Sequence, residues 1–559
     1  MSRRACTLKF MIAFTARRLV HNVWFMRLYA GIACVILLGT TAGWAWSAAR
    51  LQQANADQLV DSFLFKDLQT FHGAVFPSAH TQLIKWPLFW LLARLHFSPT
   101  AYTVLTTVLA VVTVAAMAYM LYRVARRPLV FGVLCLLLAA VLLLVPVYVF
   151  DGVVTTPLSL AMLAGRNIEY VIFVAVLAVY ARPALRWRSW QIIMATVALC
   201  LLMASDQLFL WYSAGGAVLC VVIGRLFGWR LFSATAWRWL IGSALAWIGA
   251  SFIAVILNHS FTHVTNYALG VQTVHNAYSV GQGFWNLLRV VGLNFGLTAR
   301  DGWPTTPALL INCLTVILTA RAIVWLFGRL RTLQHSESKA YPATAYLLGG
   351  MLLATTTVAF GLFMCTNQAE LSNARYETIA LISGFVVLAA WMRSKLWPSR
   401  PLLIFSCLGI LAIGTGFVGT LRYTNRLAGT TLQARNEQIA TALQAHRAAY
   451  LVGSYWRVFP VRLLTLHAEQ QIVPLEGCLQ PTLTLTSDVW RPDLRVHSFA
   501  YLLSETSTNL PVLPCRKQLI LHQYGQPTSI LRISGTSTRP TEELLFYDNG
   551  AADPRHFIR

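Results

Sequence analysis

Residues 28–48 read LYAGIACVILLGTTAGWAWSA, and residues 57–87 read DQLVDSFLFKDLQTFHGAVFPSAHTQLIKWP. The first is a charge-free run long enough to cross a hydrocarbon core of roughly 30 Å as a helix. The second is the first polar island beyond it. Asp57, Asp61, Asp67, His72, His80, Lys66 and Lys85 crowd into that island, although charged residues make up only 11% of the 559 and hydrophobic residues 57%. A segment this polar between two long apolar runs marks the outside of a membrane boundary, and the rest of the chain decides which boundary.

Further apolar runs lie near 100–122, 129–149, 168–185, 190–206, 208–228, 237–257, 305–328, 344–365, 377–393 and 400–420. With 28–48 they make eleven expected spans. Backbone polar groups in lipid must be paired within the segment, and runs without period-2 alternation do this as helices. The expected class is therefore an α-helical polytopic membrane protein. The boundary between 190–206 and 208–228 is the tightest, because SDQLFLW leaves almost no loop. A tight hairpin and one broken helix both fit it, and alternation of the basic clusters favours two spans.

The net charge of +24 fits either nucleic-acid binding or membrane topology. Lys and Arg sit in the short connections between apolar runs, which favours topology and gives no reason to expect nucleic acid as a partner. Arg123, Arg126 and Arg127 form one such cluster, and Arg182, Arg186 and Arg188 another. Arg225, Arg230 and Arg238, then Arg329, Arg331 and Lys339, then Arg393, Lys395 and Arg400 repeat the pattern. The positive-inside rule places these clusters and the basic leader 1–27 in the cytoplasm, and the island and everything after 420 outside. A signal peptide competes for the N-terminus. The leader is long for a signal's basic region and 28–48 is long for its apolar core, so the run reads as an uncleaved first span.

Three parts follow: the leader 1–27, a membrane domain 28–420 with a first outer loop at 49–99, and an outer domain 421–559. In the last, AAYLVGS, QIVPL, QLILHQY and ILRIS have strand length, whereas LQARNEQIATALQAHRAAY has helical spacing, which reads as a small α/β domain. Cys478 and Cys515 lie in it. An extracytoplasmic compartment permits them to pair, and two free thiols is the other reading.

Several polar groups are candidates for chemistry. A carboxylate just outside a membrane helix, among Phe63, Leu64 and Phe65, is suited to act as a general base, and Asp61 is best placed, with Asp57 and Asp67 to orient it or cap short helices. Lys85 fits a lipid phosphate as a point charge, or a snorkelling anchor. Arg375-Tyr376 in NARYETIALIS stands at the mouth of a late span, where an arginine can grip phosphate bidentately, anchor the interface or pair with Glu370. Arg166 is a second phosphate candidate, with pairing to Glu169 its structural alternative. Asp206, close to the membrane, is expected to be paired or to face a cavity. His259, His263 and His275 offer a metal site, but no carboxylate or Cys is near, and no cofactor is indicated. YWRVFPVRLLTL (455–466), with Arg457 and Arg462, fits a headgroup surface, a glycan contact or packing against the membrane domain.

The order Asp61, then Lys85-Trp86-Pro87-Leu88, then FWLLARLHFSPTAY resembles the polytopic glycosyltransferases of the C superfamily, closest to the protein mannosyltransferase and aminoarabinose-transferase types. The likeness covers roughly 55–130 and the span layout. That family often has Asp-Glu where this chain has Asp61-Ser62, and Pro-Pro where it has Trp86-Pro87. The resemblance implies a bacterial inner-membrane enzyme that takes a sugar from a polyprenyl-phosphate carrier to a glycan, lipid or protein acceptor outside the cytoplasm. It further implies that Asp61 acts as base and that Lys85, Arg375 with Tyr376, and Arg166 hold the phosphate. A lipid-linked sugar flippase or other transporter and a non-catalytic scaffold for envelope assembly are the alternatives.

Overall fold

The structure, a computed structural model, describes residues 23–52, 82–95, 98–143, 159–160, 162–163, 165–182, 189–260, 277–297, 306–333, 342–366, 369, 371–394, 406–417, 433–462, 471–476, 480–481, 494, 497–504, 515–533 and 541–550. Asp57, Asp61 and Asp67, with Lys66, His72 and His80, lie outside them. So do His263, His275, Glu370 and Cys478, and nothing is described of the His259 side chain.

Among the described residues seven helices are long and apolar enough to span a membrane: Val23–Ala49, Pro99–Ala125, Leu208–Leu226, Arg230–Leu257, Pro307–Thr332, Ala343–Met364 and Ala374–Ser394. Four shorter apolar helices, Pro128–Leu143, Ile168–Tyr180, Ser189–Ser205 and Ser406–Phe417, fall on the remaining four expected runs. The protein is a helical membrane protein. A further helix, Ala277–Asn294, occupies what the sequence reads as a loop between 258 and 304.

Local chemistry explains the boundaries. Ser98 accepts from the Ala101 N–H at 3.1 Å, and Pro99 takes the first helical position, where its missing N–H costs nothing. That helix closes on Arg126 at φ 55, whose N–H bonds the Tyr122 carbonyl, and Pro128 starts the next one. The tight boundary at 206 resolves into two helices. Asp206 accepts from the Leu208 N–H at 2.9 Å and so caps the second.

Packing is centred on Ala374–Ser394, where residues 377–392 are all buried, and on Pro128–Leu143, buried from 130 to 143. Around them lie Ala343–Met364, Pro99–Ala125 and Pro307–Thr332. Small residues permit close helix contact: a Cβ on Gly216 would stand 2.6 Å from the Trp239 ring. By contrast Val23–Ala49 and Arg230–Leu257 leave most of their apolar surface exposed, as lipid-facing helices do.

The C-terminal part folds as a six-stranded sheet of order β3-β2-β1-β4-β6-β5, with β1 Tyr450–Ser454, β2 Gln471–Glu476, β3 Gln480–Pro481, β4 Phe499–Ser504, β5 Ser529–Ile533 and β6 Glu542–Tyr547. β1 runs parallel to β2 and β4, and the other pairings are antiparallel. One face packs on Ile520 and Tyr524, the other on Ile439 and Leu443 of the Gln433–Ala445 helix. The segment QLILHQY, expected as a strand, is helical over Lys517–Tyr524. Ile520 and Tyr524 are the buried pair at i, i+4, and Gly525 at φ 84 ends the helix, a pattern a strand would not produce.

Cys515 is disulfide-bonded, and its partner lies outside the described residues. Cys34, Cys135, Cys200, Cys220, Cys313, Cys365 and Cys407 are free thiols.

Candidate functional site

Four stretches of the chain, near 85, 165–170, 205–212 and 371–377, carry the buried charged and phenolic side chains of the candidate site. Gln82, in a left-handed turn at φ 50, donates its backbone N–H to the Ser205 carbonyl at 3.0 Å, which ties the 82–85 turn to the end of the Ser189–Ser205 helix. That turn carries Lys85 inward. Lys85 is 1% exposed, with its Nζ 3.1 Å from Glu169 Oε1 and bonded to the Gly165 carbonyl. Of the two readings of Lys85, the snorkelling anchor is not what is seen: the ammonium is buried and paired.

Glu169 stands in the first turn of Ile168–Tyr180, where a carboxylate is favoured by the helix dipole. Its Oε2 accepts from the Asn167 N–H at 3.1 Å, while the Asn167 side chain caps Ile168 at 2.8 Å and donates to the Met162 carbonyl at 2.8 Å. The sequence reading paired Glu169 with Arg166. The structure exchanges the partners: Lys85 faces Glu169, and Arg166 is bonded to Asp206. Arg166 precedes the helix that Glu169 opens, and Glu169 Oε2 is turned back onto the Asn167 N–H, so the two do not stand as neighbours on one helix face.

Arg166 also lies 4.9 Å from the centre of the Tyr376 ring, and Arg375 lies 5.4 Å from the same ring. Both distances are within cation–π range. The Tyr376 carbonyl accepts from Tyr212 Oη at 2.7 Å and from Tyr170 Oη at 3.3 Å, and the Tyr170 and Tyr212 rings stack with centroids 6.4 Å apart. Tyr212 reaches this carbonyl from a π-helical turn, Trp211–Gly215, a local widening of the helix found often at functional sites. The strap that carries Arg375 and Tyr376, the 3-10 turn Leu371–Glu377, is held at Ala374 by Asn294 Nδ2 at 2.8 Å.

Of the four phosphate-binding candidates, Arg166, Arg375 and Tyr376 are thus joined by direct contacts, with Asp206 paired to Arg166, while Lys85 is held on the same segment by the Gly165 carbonyl and Glu169. Sequence reasoning missed Glu377. It is 1% exposed, and its Oε2 has no hydrogen-bond partner among the described residues. The available signal was an acid opening an apolar span, a placement that favours function or pairing. Tyr170 and Tyr212 carried no such signal, since an aromatic in an apolar run reads as core. Among the described residues no three His, Cys, Asp or Glu side chains gather into a metal-holding group.

In the C-terminal domain Arg457 and Arg435 both bond Glu542, at 3.3 Å for Arg457 and at 2.5 and 2.9 Å for the bidentate Arg435. Arg457 is therefore paired inside the C-terminal domain itself, which none of the three readings open for that stretch named.

The class defined by these features is a helical membrane protein with a buried ionic–aromatic cluster at one set of helix ends and a small C-terminal α/β sheet domain. No family model matches the chain, and no curated protein matches it.

Proposed function

We propose that the chain is an integral membrane glycosyltransferase, which takes a sugar from a polyprenyl-phosphate carrier to a glycan, lipid or protein acceptor on the outer side of a bacterial inner membrane. The observation that carries this reading is the convergence of Arg166 and Arg375 on the Tyr376 ring, with Lys85 buried against Glu169 and the Gly165 carbonyl on the segment that bears Arg166. Cations at helix mouths beside aromatic rings are a chemistry suited to a lipid phosphate. In this reading Asp61 deprotonates the acceptor hydroxyl, with Asp57 and Asp67 orienting it, and the departing phosphate is held by Arg375, Arg166 and Lys85. The eleven-span layout belongs to the same reading, and so does the resemblance of 55–130 to the C superfamily.

Orientation is supported by charge. Arg123, Arg182, Arg225 and Arg393 lie at or just beyond the last turns of their helices, whereas Arg166 and Glu169 stand where Ile168–Tyr180 begins and Tyr376 where Ala374–Ser394 begins. The positive-inside rule then sets the cluster and the C-terminal domain outside and the N-terminus in the cytoplasm.

The pairing of Lys85 with Glu169 and of Arg166 with Asp206 also favours a second reading, a lipid-linked sugar transporter. Ion pairs buried among membrane helices often mark substrate paths, and these two pairs are of that kind. Purified full-length protein in vesicles with a polyprenyl-phosphate sugar discriminates the two. The transferase reading expects release of polyprenyl phosphate, lost in Asp61→Asn with the protein still folded. Undiminished transfer in that variant removes Asp61 as base, and translocation without release of phosphate favours the transporter.

A further inference from the structure

The Ala277–Asn294 helix, AYSVGQGFWNLLRVVGLN, has 18 residues but is not among the helices apolar enough to span. Its two faces differ in what they meet. At 3.6 residues per turn, Gly283, Leu287, Val290 and Asn294 share one side, and all four are buried. Phe284, Trp285 and Leu288 share the opposite side and are 53%, 58% and 49% exposed, with Arg289 and Gln282 along one edge.

The buried side fixes where the helix lies. A Cβ on Gly283 would stand 2.8 Å from the Met364 carbonyl, the last residue of one span, so only glycine permits the crossing. Leu287 and Val290 pack with Phe363 of that last turn and with Ala374, the first residue of the next span. The helix therefore crosses at the level where Ala343–Met364 ends and Ala374–Ser394 begins. Asn286 Nδ2 donates to the Ala369 carbonyl at 2.7 Å and Asn294 Nδ2 to the Ala374 carbonyl at 2.8 Å, so the same side grips both ends of the connection bearing Arg375, Tyr376 and Glu377.

We propose that this helix is a membrane-surface clamp: Phe284, Trp285 and Leu288 lie in the headgroup–acyl boundary of the bilayer, and the opposite side holds the connection 369–377. The occupant of the exposed face is lipid because the face sits at the mouth of two spans, is led by a Trp and a Phe, and is edged by an arginine placed to reach headgroups. This stands whether or not the chain transfers sugar.

The test uses the full chain in vesicles of phosphatidylcholine and phosphatidylglycerol, with benzoylphenylalanine replacing Phe284, Trp285 or Leu288 one at a time. Photolysis and mass spectrometry should find lipid adducts at all three positions. At Leu287, as a control for the buried side, the adducts should fall within the same chain. Adducts to a second copy, or benzophenone recovered without lipid adduct at the three positions, overturn lipid as the occupant. For the clamp itself, Asn286→Leu should quicken amide exchange across 371–377 by about tenfold, the loss expected for one side-chain-to-backbone bond. Exchange at the wild-type rate overturns it.

Discussion

Replacing Glu169 by Gln leaves Lys85 a buried ammonium without its carboxylate. The two side chains are 1% and 4% exposed and 3.1 Å apart, so water does not screen the pair and the small values of surface ion pairs do not apply. Removing one partner of a buried pair costs about 3–5 kcal/mol. The Gly165 carbonyl still accepts from Lys85 Nζ, which puts the expectation at the low end, about 3 kcal/mol, or more than a hundredfold in the unfolding equilibrium. Lys85→Met removes the charge instead and leaves Glu169 with the Asn167 N–H at 3.1 Å, a smaller loss. The double variant Lys85→Met with Glu169→Gln should recover most of the stability, because two neutral side chains of similar volume replace the ions. The assay is a double-mutant cycle on the full chain in detergent, read from the midpoint of dodecyl-sulfate unfolding by circular dichroism. A Glu169→Gln variant within about 0.5 kcal/mol of wild type, or a double variant no better than the worse single, refutes the pairing. The cycle also bears on function. If phosphate displaces Glu169 from Lys85, the Glu169→Gln protein should bind a polyprenyl phosphate more tightly even as it becomes less stable.

Asp206→Asn should cost about 3 kcal/mol by the same unfolding assay, because Arg166 loses its anion while the cap on Leu208 survives in the amide oxygen; Asp206→Ala should cost about 1 kcal/mol more. In the C-terminal domain, Glu542→Gln removes the carboxylate that both Arg435 and Arg457 bond, and pulse proteolysis of the full chain should show the domain weakened by about 4 kcal/mol. Glu543 is held below its ordinary carboxylate value by the hydrogen bond from Lys517 at 2.6 Å and then by that from Arg532 at 3.0 Å. Its contribution is full above pH 4.5 and lost as pH falls below that, so protease resistance of the domain should drop on acidification, and less so in Glu543→Gln. For Cys515, pairing with Cys478 predicts that Cys478→Ser frees the Cys515 thiol to alkylation under non-reducing conditions; an unreactive Cys515 in that variant assigns the bond elsewhere.

How much of this was legible in the sequence differs by kind of signal. Long, predominantly apolar runs dictate helices in lipid whatever their neighbours, so all eleven expected runs coincide with apolar helices, seven of spanning length and four shorter. Period alone was weaker in the C-terminal domain. QLILHQY has the length of a strand and the burial of a helix, while FAYLLS and EELLFY, which are β4 and β6, lacked a clear alternation because the sheet is covered on both faces. Helix 277–294 was missed for a related reason: its apolar residues divide between protein and an exposed face, so no single stripe stands out.

Partner choice is the part that sequence spacing cannot supply. Arg166 and Glu169 are three apart, a separation that ordinarily lets helical side chains meet, yet Arg166 precedes the helix and Glu169 opens it. What decides the pairing is the long-range fold, which delivers Lys85 through the Gln82 turn on Ser205 and delivers Asp206 one residue further along. The two ion pairs are therefore set by a single backbone contact between the 82–85 turn and the end of the Ser189–Ser205 helix. A ligand that draws Lys85 away from Glu169 must also disturb the neighbouring Asp206–Arg166 pair, and through Arg166 the ring of Tyr376. The cluster thus behaves as one unit with respect to an incoming anion, and substitutions at Lys85, Arg166 and Arg375 should be non-additive in any binding measurement.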